Sequence, residues 1–282
     1  MELAVEAKTV KDAQRLGPAL NALAEADPRL TWAFDPERGQ AILKGDDELH
    51  LDGVVGALLK NAKVLAGAPQ VAYLETITAG VIATGIHRRI VGGTGEFAKV
   101  VIDFQPARRE LEFEFVSEAG EAVPDQYLRG VSEGLEQASA NGLLAGFPVV
   151  DFKATLVDGA FHDIDSSPKA FKLAAMSAFK QIGDVGKAVL MEPIMFIRAE
   201  GPRTRVSEVE AFLLHHRGVR RDRGEEFVEV LAPLANLFGF HNAARARFGT
   251  EVTFERTFSH YAQVPQQPSP DPQYPFDIGM RA

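Results

Sequence analysis

The stretch PVVDFKATLVDGAFHDIDSSPKAFKLAAMSAFK, residues 148–180, contains the signals of a strand, a polar loop and a helix in direct succession. Residues 148–159 are rich in β-branched and aromatic side chains, which predicts one long strand. Ser166 and Ser167 are suited to cap a helix, and Pro168 fits the first helical turn, where its missing N–H costs nothing. The helix is predicted to continue to about Gly183. Its buried face is expected to consist of Phe171, Ala175, Ala178, Phe179 and Ile182.

Elements of the same kinds precede this stretch. Residues 71–89 and 99–106 are rich in Val, Ile and Thr and predict strands, as do residues 111–117. The glycine-rich sequence VGGTGEF, residues 91–97, interrupts the first two. A helix is predicted from Pro124 to Asn141. These elements together predict one α/β unit.

The two flanking segments share the element order β-α-β-β-α-β. Near the start, the alternating strand Glu2–Ala7 leads into a helix that Thr9 can cap, followed by a hairpin, a second helix and a short strand. The same order recurs from about Leu190 to Tyr261. Two helices on one face of a four-stranded sheet form the ferredoxin-like arrangement. The sequence therefore predicts an α+β protein with two ferredoxin-like domains that flank an elongated α/β domain.

The expected domain boundaries follow from these segments. We expect a first domain at residues 1–68, a central domain at 69–188 and a third domain at 189–264. Residues 265–282 contain five of the sixteen prolines and are expected to form an extended tail.

Composition narrows the range of functions. The chain has 282 residues, no cysteine and a formal net charge of -9, so disulfides, thiolate catalysis and cysteine-ligated metals are excluded. No apolar run is long enough for a membrane span, and the residues after Met1 do not resemble a signal peptide. The acidic charge argues against a uniformly basic nucleic-acid binder. Local basic stretches remain at residues 87–89 and 217–223, and the second could contact phosphates or simply complete a helix end.

The glycine-rich sequence at residues 91–99, VGGTGEFAK, lacks the spacing of a phosphate-binding loop or of a dinucleotide site. A turn between two strands is the favoured interpretation, and the alternative is a loop tip that touches the backbone of a partner.

His162, Asp163 and Asp165 leave three interpretations open. They could belong to a metal site, but no second histidine lies at helical spacing. They could form a triad with Ser166 or Ser167, but no nucleophile motif is present. From the residues alone, a surface histidine in a loop remains the simplest interpretation.

Seven short sequence segments occur in a defined order along the chain. They are ELHLD (48–52), PQVAYLETIT (69–78), VVIDF (100–104), the block from Asn141 to Lys180, EPIM (192–195), LAPLANLFGF (231–240) and HYAQVP (260–265). In this order they resemble the C-terminal half of bacterial elongation factor G, domains III, IV and V. The resemblance extends from the start of the chain to about Pro265, and the block at 141–180 is its most specific part.

The resemblance implies a fold and a role. Domains III and V of such factors are ferredoxin-like, and domain IV is an elongated, ribosomal-protein-like α/β domain. GTP and Mg²⁺ bind to the N-terminal half, so we expect no cofactor and no enzymatic activity in this chain, which looks like a piece of a longer GTPase. The implied partners are the ribosome, at its small-subunit decoding region and its large-subunit sarcin–ricin loop, and the transfer and messenger RNAs. A cytoplasmic monomer without membrane contact is expected.

The resemblance also implies which residues contact RNA. The tip of domain IV would consist of loops near residues 89–96 and 159–166, with His162 at the position of the family's tip histidine. The expected RNA-contacting or ribosome-contacting residues are His162, Asp163, Asp165, Gly92, Gly93, Gly95, Arg88, Arg89, Arg220 and Arg221.

The first tip loop departs from the family pattern. Thr94 and Glu96 stand where arginine and glutamine are usual, and Ile90 and Val91 replace polar residues. Fewer donors and one additional acid are expected to weaken phosphate contacts. A divergent paralogue that acts in ribosome recycling or protection and a binding module outside translation therefore remain as alternatives. A further alternative is a small hydrolase that uses His162 with Asp163 or Asp165.

Overall fold

The computed structural model describes residues 1–35, 39–46, 48–67, 70–91, 94–107 and 112–265. The chain divides into two compact units. Residues 1–72 and 192–262 form the first unit, and residues 73–191 belong to the second. Among the helices that these described ranges form, none is long and apolar enough to cross a bilayer.

The first unit contains two sheets, each with two helices. The elements of the first sheet are β1 (Glu2–Ala7), α1 (Val10–Ala26), β2 (Thr31–Asp35), β3 (Gln40–Lys44), α2 (Glu48–Leu58) and β4 (Val64–Ala66). The strand order is β2-β3-β1-β4, and β1 pairs antiparallel with β3 and β4, as in the ferredoxin-like arrangement. Thr9 caps α1 as predicted, because its side chain accepts a hydrogen bond from the Asp12 N–H. Leu59 lies just beyond the end of α2 and its side chain is exposed.

The last part of the chain repeats this order. Its elements are β10 (Ala188–Glu200), α6 (Val206–His215), β11 (Val219–Arg223), β12 (Phe227–Pro233), α7 (Phe240–Phe248) and β13 (Thr253–Gln263). The strand order β11-β12-β10-β13 matches the first sheet. Gly239 has a φ of 69° and separates a short 3-10 helix, Leu234–Leu237, from α7. One continuous apolar core joins the two sheets, and the Gly239 N–H donates to the Glu48 carboxylate at 2.6 Å.

The second unit carries the central sheet. Its elements are β5 (Leu74–Ile77), β6 (Val81–Val91), β7 (Thr94–Pro106), β8 (Phe113–Ser117), α3 (Asp125–Ala140), β9 (Phe152–Ala160), α4 (Pro168–Lys180) and α5 (Ile182–Val185). The strand order is β6-β7-β9-β8, with only the β8–β9 pair parallel. Helices α3 and α4 pack together, and Phe171, Ala175, Ala178 and Phe179 on α4 are buried as predicted. The helix predicted to reach Gly183 ends at Lys180, and the buried Ile182 begins α5 instead. β5 pairs with residues 188–191 of β10.

The strand predicted to begin at Pro148 begins at Phe152 instead. Asp151 has a φ of 59°, which breaks the extended backbone before β9. The preceding residues bond elsewhere, since the N–H groups of Val149 and Val150 donate to the carbonyls of Ser139 and Glu75. Residues 148–151 are therefore shaped by tertiary contacts that strand propensity does not report.

Arg217, at the turn after α6, forms an ion pair with the buried Glu192. Arg217, with a φ of 59°, donates to the carboxylate of Glu192 at 3.1 Å and to the Asn236 side-chain oxygen at 3.3 Å. The Glu192 side chain is only 4% exposed. Burial raises the pKa of Glu192, although the charge and the hydrogen bond of Arg217 oppose that rise.

We expect Glu192 to make stability fall as pH rises. An acid whose pKa is raised in the folded state binds its proton more tightly there than in the unfolded state. Its contribution is therefore present at low pH and is lost as pH rises from the ordinary glutamic acid range through the raised pKa. Urea unfolding between pH 4 and 8 should show that the wild type loses stability relative to Glu192→Gln. Glu255→Gln, at an exposed position, controls for the loss of one charge. A wild type that keeps or gains stability relative to Glu192→Gln as pH rises would contradict the expectation.

Candidate nucleic-acid interface

Both predicted tip loops lie at the same end of the central sheet. β6 and β7 pair along their whole length, from Val81 opposite Phe104 to Val91 opposite Thr94. Gly92 and Gly93, predicted to contact RNA, lie outside the described residues. β9 runs beside β7 and ends at Ala160, opposite Lys99. The segment from Phe161 to Ser167, here called the tip loop, then leads into α4.

The tip loop is bonded directly to β7. The Phe97 N–H donates to the Asp165 carbonyl at 2.9 Å, and the Ser166 hydroxyl donates to the Phe97 carbonyl at 2.7 Å. Within the loop, the Ser166 N–H donates to the His162 carbonyl at 3.0 Å. The His162 N–H donates in turn to the Ser166 hydroxyl oxygen at 2.9 Å. The two chain segments therefore form one hydrogen-bonded unit.

Gly95 allows this close approach. A Cβ atom at residue 95 would lie 2.5 Å from the Asp165 carboxylate, which is far inside van der Waals contact. The absence of a side chain at Gly95 therefore leaves space for Asp165. Gly95 and Asp165, which were predicted as RNA-contacting residues of two different loops, therefore lie next to each other.

The His162 ring is oriented by the backbone of its own loop. The N–H groups of Ile164 and Asp165 both lie 3.3 Å from His162 Nδ1 and donate to it. A ring nitrogen that accepts hydrogen bonds carries no proton, so the neutral ring carries its proton on Nε2. The Asp165 carboxylate lies 3.5 Å from Nδ1, and the His162 side chain is 56% exposed. His162 thus presents an N–H donor to its surroundings.

The geometry does not form a nucleophile–base pair at this loop. The Ser166 hydroxyl hydrogen goes to the Phe97 carbonyl, and Ser166 meets His162 through the backbone rather than the imidazole. The Ser167 side chain accepts from the Ala170 N–H and caps α4. The arrangement therefore lacks the hydroxyl–imidazole contact on which a hydrolase would depend.

Glu96 is held by two cationic or polar side chains. Its carboxylate lies 2.8 Å from His87 Nε2 and 3.7 Å from the Lys169 ammonium. The hydrogen bond with His87 lowers the pKa of Glu96, and the charges of Lys169, His87 and Arg89 act in the same direction. The negative charge of Glu96, which was expected to weaken phosphate contacts, is therefore partly compensated by its neighbours. The same contacts link β6, β7 and the first turn of α4.

Two predicted arginines lie beside this tip. Arg88 and Arg89 are exposed near the end of β6, opposite Phe97 and Glu96 on β7. Because successive strand residues point to opposite faces, their guanidinium groups leave the sheet on different sides. Asp163 is exposed at the centre of the tip loop.

The other two predicted arginines lie on β11 in the first unit. Arg220 donates to the Glu210 carboxylate at 3.0 Å, and Arg223 donates to the other oxygen of the same carboxylate. Arg221 is exposed, and across the described residues it takes part in no ion pair. Arg221 is therefore the residue of this pair that can reach a phosphate without breaking an internal bond.

Sequence reasoning missed three residues that shape the site. It treated Ser166 as a possible cap and did not connect His87 or Lys169 with Glu96. Alternation along β6 and β7 could have placed His87 and Glu96 on one face. The bond between Ser166 and Phe97 spans 69 residues and has no local signal in the sequence.

Comparison with known proteins places this geometry in a family. A family model described as "Elongation factor G, domain IV" matches residues 69–186, and one described as "Elongation Factor G, domain III" matches residues 1–68. Elongation factor G of Wolbachia pipientis is 42% identical over 274 residues, which cover 94% of this chain and 40% of that protein. Elongation factor G of Ehrlichia chaffeensis is 44% identical over 272 residues, which cover 94% and 39%.

A solved structure agrees with these matches. A crystal structure of a protein from Thermus thermophilus has a TM-score of 0.73 and 34% identity, and covers 94% of this chain and 41% of that one. The chain therefore spans about two-fifths of the length of these relatives. It belongs to the elongation factor G family, with residues 1–68 matching domain III and residues 69–186 matching domain IV.

Proposed function

We propose that this chain is the ribosome-binding part of a translation factor and that the tip of its second unit contacts RNA in the small-subunit decoding region. There it would promote the movement of transfer RNA and messenger RNA. The observation that supports this most is the tip loop, which is bonded to β7 and presents the exposed imidazole of His162 in a segment that matches domain IV.

The proposal assigns roles to the rest of the chain. Residues 1–68 act as domain III, residues 69–188 as domain IV and residues 189–264 as domain V. Domain V would lie near the sarcin–ricin loop, with Arg221 as its phosphate contact. GTP and Mg²⁺ would bind to GTPase domains on the remaining part of the factor. The protein would act as a cytoplasmic monomer.

We expect the chain to sediment with ribosomes and to compete with a full-length elongation factor G for them. A hydrogen bond from His162 to RNA is worth up to about 1.5 kcal/mol, so His162→Ala should weaken ribosome affinity by roughly tenfold. His260→Ala removes an exposed histidine from β13 in the first unit and should leave affinity unchanged. A folded chain that neither sediments nor competes would disprove the proposal.

A second candidate is a protein-binding module outside translation. Ile82, Ile86 and Ile90 project from one face of β6 and are all more than half exposed. Such an apolar stripe is more typical of a protein contact than of an RNA contact. Recovery of one protein partner without ribosomal RNA in a pull-down would favour this candidate.

A further inference from the structure

The Ser166 hydroxyl donates one hydrogen bond and accepts another. As a donor it bonds the Phe97 carbonyl on β7, and as an acceptor it takes the His162 N–H. A hydroxyl is the smallest side-chain group that can do both at once. The adjacent Ser167 performs a different task as the cap of α4, so the two serines are not interchangeable.

Hydrogen bonds between His162 and Ser166 close a five-residue turn in the tip loop. His162 and Ser166 are joined twice, through the His162 N–H with the Ser166 hydroxyl and through the Ser166 N–H with the His162 carbonyl. This turn holds the backbone N–H groups of Ile164 and Asp165 against His162 Nδ1. The direction and the tautomer of the imidazole therefore depend on a loop shape that the Ser166 hydroxyl maintains.

The acidic side chains at the tip, Asp165 and Glu96, make different contacts. Asp165 reaches Nδ1 only at 3.5 Å, and that contact becomes an ion pair only if the ring gains a second proton. Glu96 is bonded to His87 and lies near Lys169. Ser166 is therefore the side chain that links the His162 backbone to β7.

We propose that Ser166 is the positioning residue of the RNA-contacting loop and that it fixes His162 as a neutral Nε2–H donor. The group that His162 recognises is then a hydrogen-bond-accepting oxygen of RNA. This inference rests on the proposed ribosome contact for its ligand, whereas the positioning role concerns the free protein alone.

The positioning role is tested by nitrogen-15 NMR of the histidine rings in the intact chain at pH 8. The wild type should show His162 with a protonated Nε2 and an unprotonated Nδ1. Ser166→Ala should give a mixture of tautomers, whereas Ser166→Thr, which keeps a hydroxyl, should retain the wild-type pattern. Ser177→Ala, a change of the same kind on α4, should have no effect. If Ser166→Ala does not fold, Ser166→Cys, with its weaker donor, replaces it.

Ribosome affinity tests the consequence for binding. Ser166→Ala should weaken binding about as much as His162→Ala, roughly tenfold, and Ser166→Thr should restore it to within about twofold. The double variant should bind no more weakly than His162→Ala, because one effect acts through the other. At pH 8, where imidazole is ordinarily neutral, His162→Ala should leave the salt dependence of binding unchanged, since a neutral donor releases no counterion.

The outcomes separate the two proposals. A wild-type tautomer in folded Ser166→Ala, or additive losses in the double variant, would overturn the positioning role. A reduced salt slope in His162→Ala would overturn the neutral donor. Failure of the wild type to bind ribosomes would overturn the proposed function and the RNA ligand, while the NMR result would still decide the role of Ser166.

Discussion

Replacing Glu75 with alanine is expected to unfold the second unit or to leave it only marginally stable. The Glu75 side chain is completely buried. Its carboxylate accepts hydrogen bonds from the backbone N–H groups of Leu143 at 2.5 Å, Leu144 at 2.8 Å, Ala145 at 2.7 Å and Phe147 at 3.1 Å. The loop before β9 is therefore wrapped around one carboxylate.

The expected loss is large because four backbone N–H groups lose their acceptor at the same time. A hydrogen bond contributes about 1 kcal/mol net to stability, so the loss of the four bonds to the Glu75 carboxylate corresponds to about 4 kcal/mol. A typical domain has a total stability of about 5–15 kcal/mol. The main chain of Glu75 also bonds the same region, since its N–H donates to the Pro148 carbonyl and its carbonyl accepts from the Val150 N–H.

Urea unfolding of the wild type and three variants measures this effect. Glu75→Gln keeps the shape but replaces one acceptor oxygen with a donor, so it should fall between the wild type and Glu75→Ala. Glu136→Ala, at an exposed site on α3, should change stability by less than about 0.5 kcal/mol. A Glu75→Ala protein as stable as Glu136→Ala would show that the loop is held by other contacts.

The second large effect is expected at Gly130, where α3 crosses α4. A Cβ atom on Gly130 would lie 2.1 Å from the Pro168 carbonyl oxygen, and one on Gly134 would lie 2.4 Å from the Lys172 carbonyl oxygen. Both obstacles are helix backbone, so no side chain can move aside. Gly130→Ala should therefore force the helices apart and cost about 3 kcal/mol.

The same substitution should also disturb the tip, because Pro168 opens α4 directly after the tip loop. Thermal unfolding measures the stability loss, and the histidine NMR spectrum of His162 reports the displacement. Gly56→Ala in α2 is the matched control, since nothing lies within 4 Å of its added Cβ. There alanine should be neutral or stabilise by up to about 1 kcal/mol through its better helix propensity. Equal responses at Gly56 and Gly130 would show that α3 and α4 are not in tight backbone contact.

Local signals were sufficient for most of the fold. The predicted caps at Thr9 and Ser167 are confirmed, as is the buried face of α4. These features depend on residues within one or two turns of each other, where spacing and side-chain chemistry decide the outcome. The strand expected at Pro148 starts late because distant donors and acceptors, which have no local signature, shape residues 148–151.

The candidate site was likewise predicted only in part from local sequence signals. The order of the seven sequence segments pointed to His162 and its loop. The role of Ser166 was misassigned because both Ser166 and Ser167 could cap α4. Only the pairing of β7 with β9 brings Phe97 within reach of Ser166 and leaves the cap to Ser167.

By itself, the sequence determined the α+β class, the helix boundaries near the caps, the absence of cysteine chemistry and the resemblance that singled out His162. The tertiary structure decided which groups satisfy one another. Glu75 binds a loop about 70 residues away, and Ser166 bonds a strand 69 residues away. The physical reason is that a buried or closely packed polar group must find a partner wherever the strand register places one, and that register arises from the whole sheet rather than from neighbouring residues.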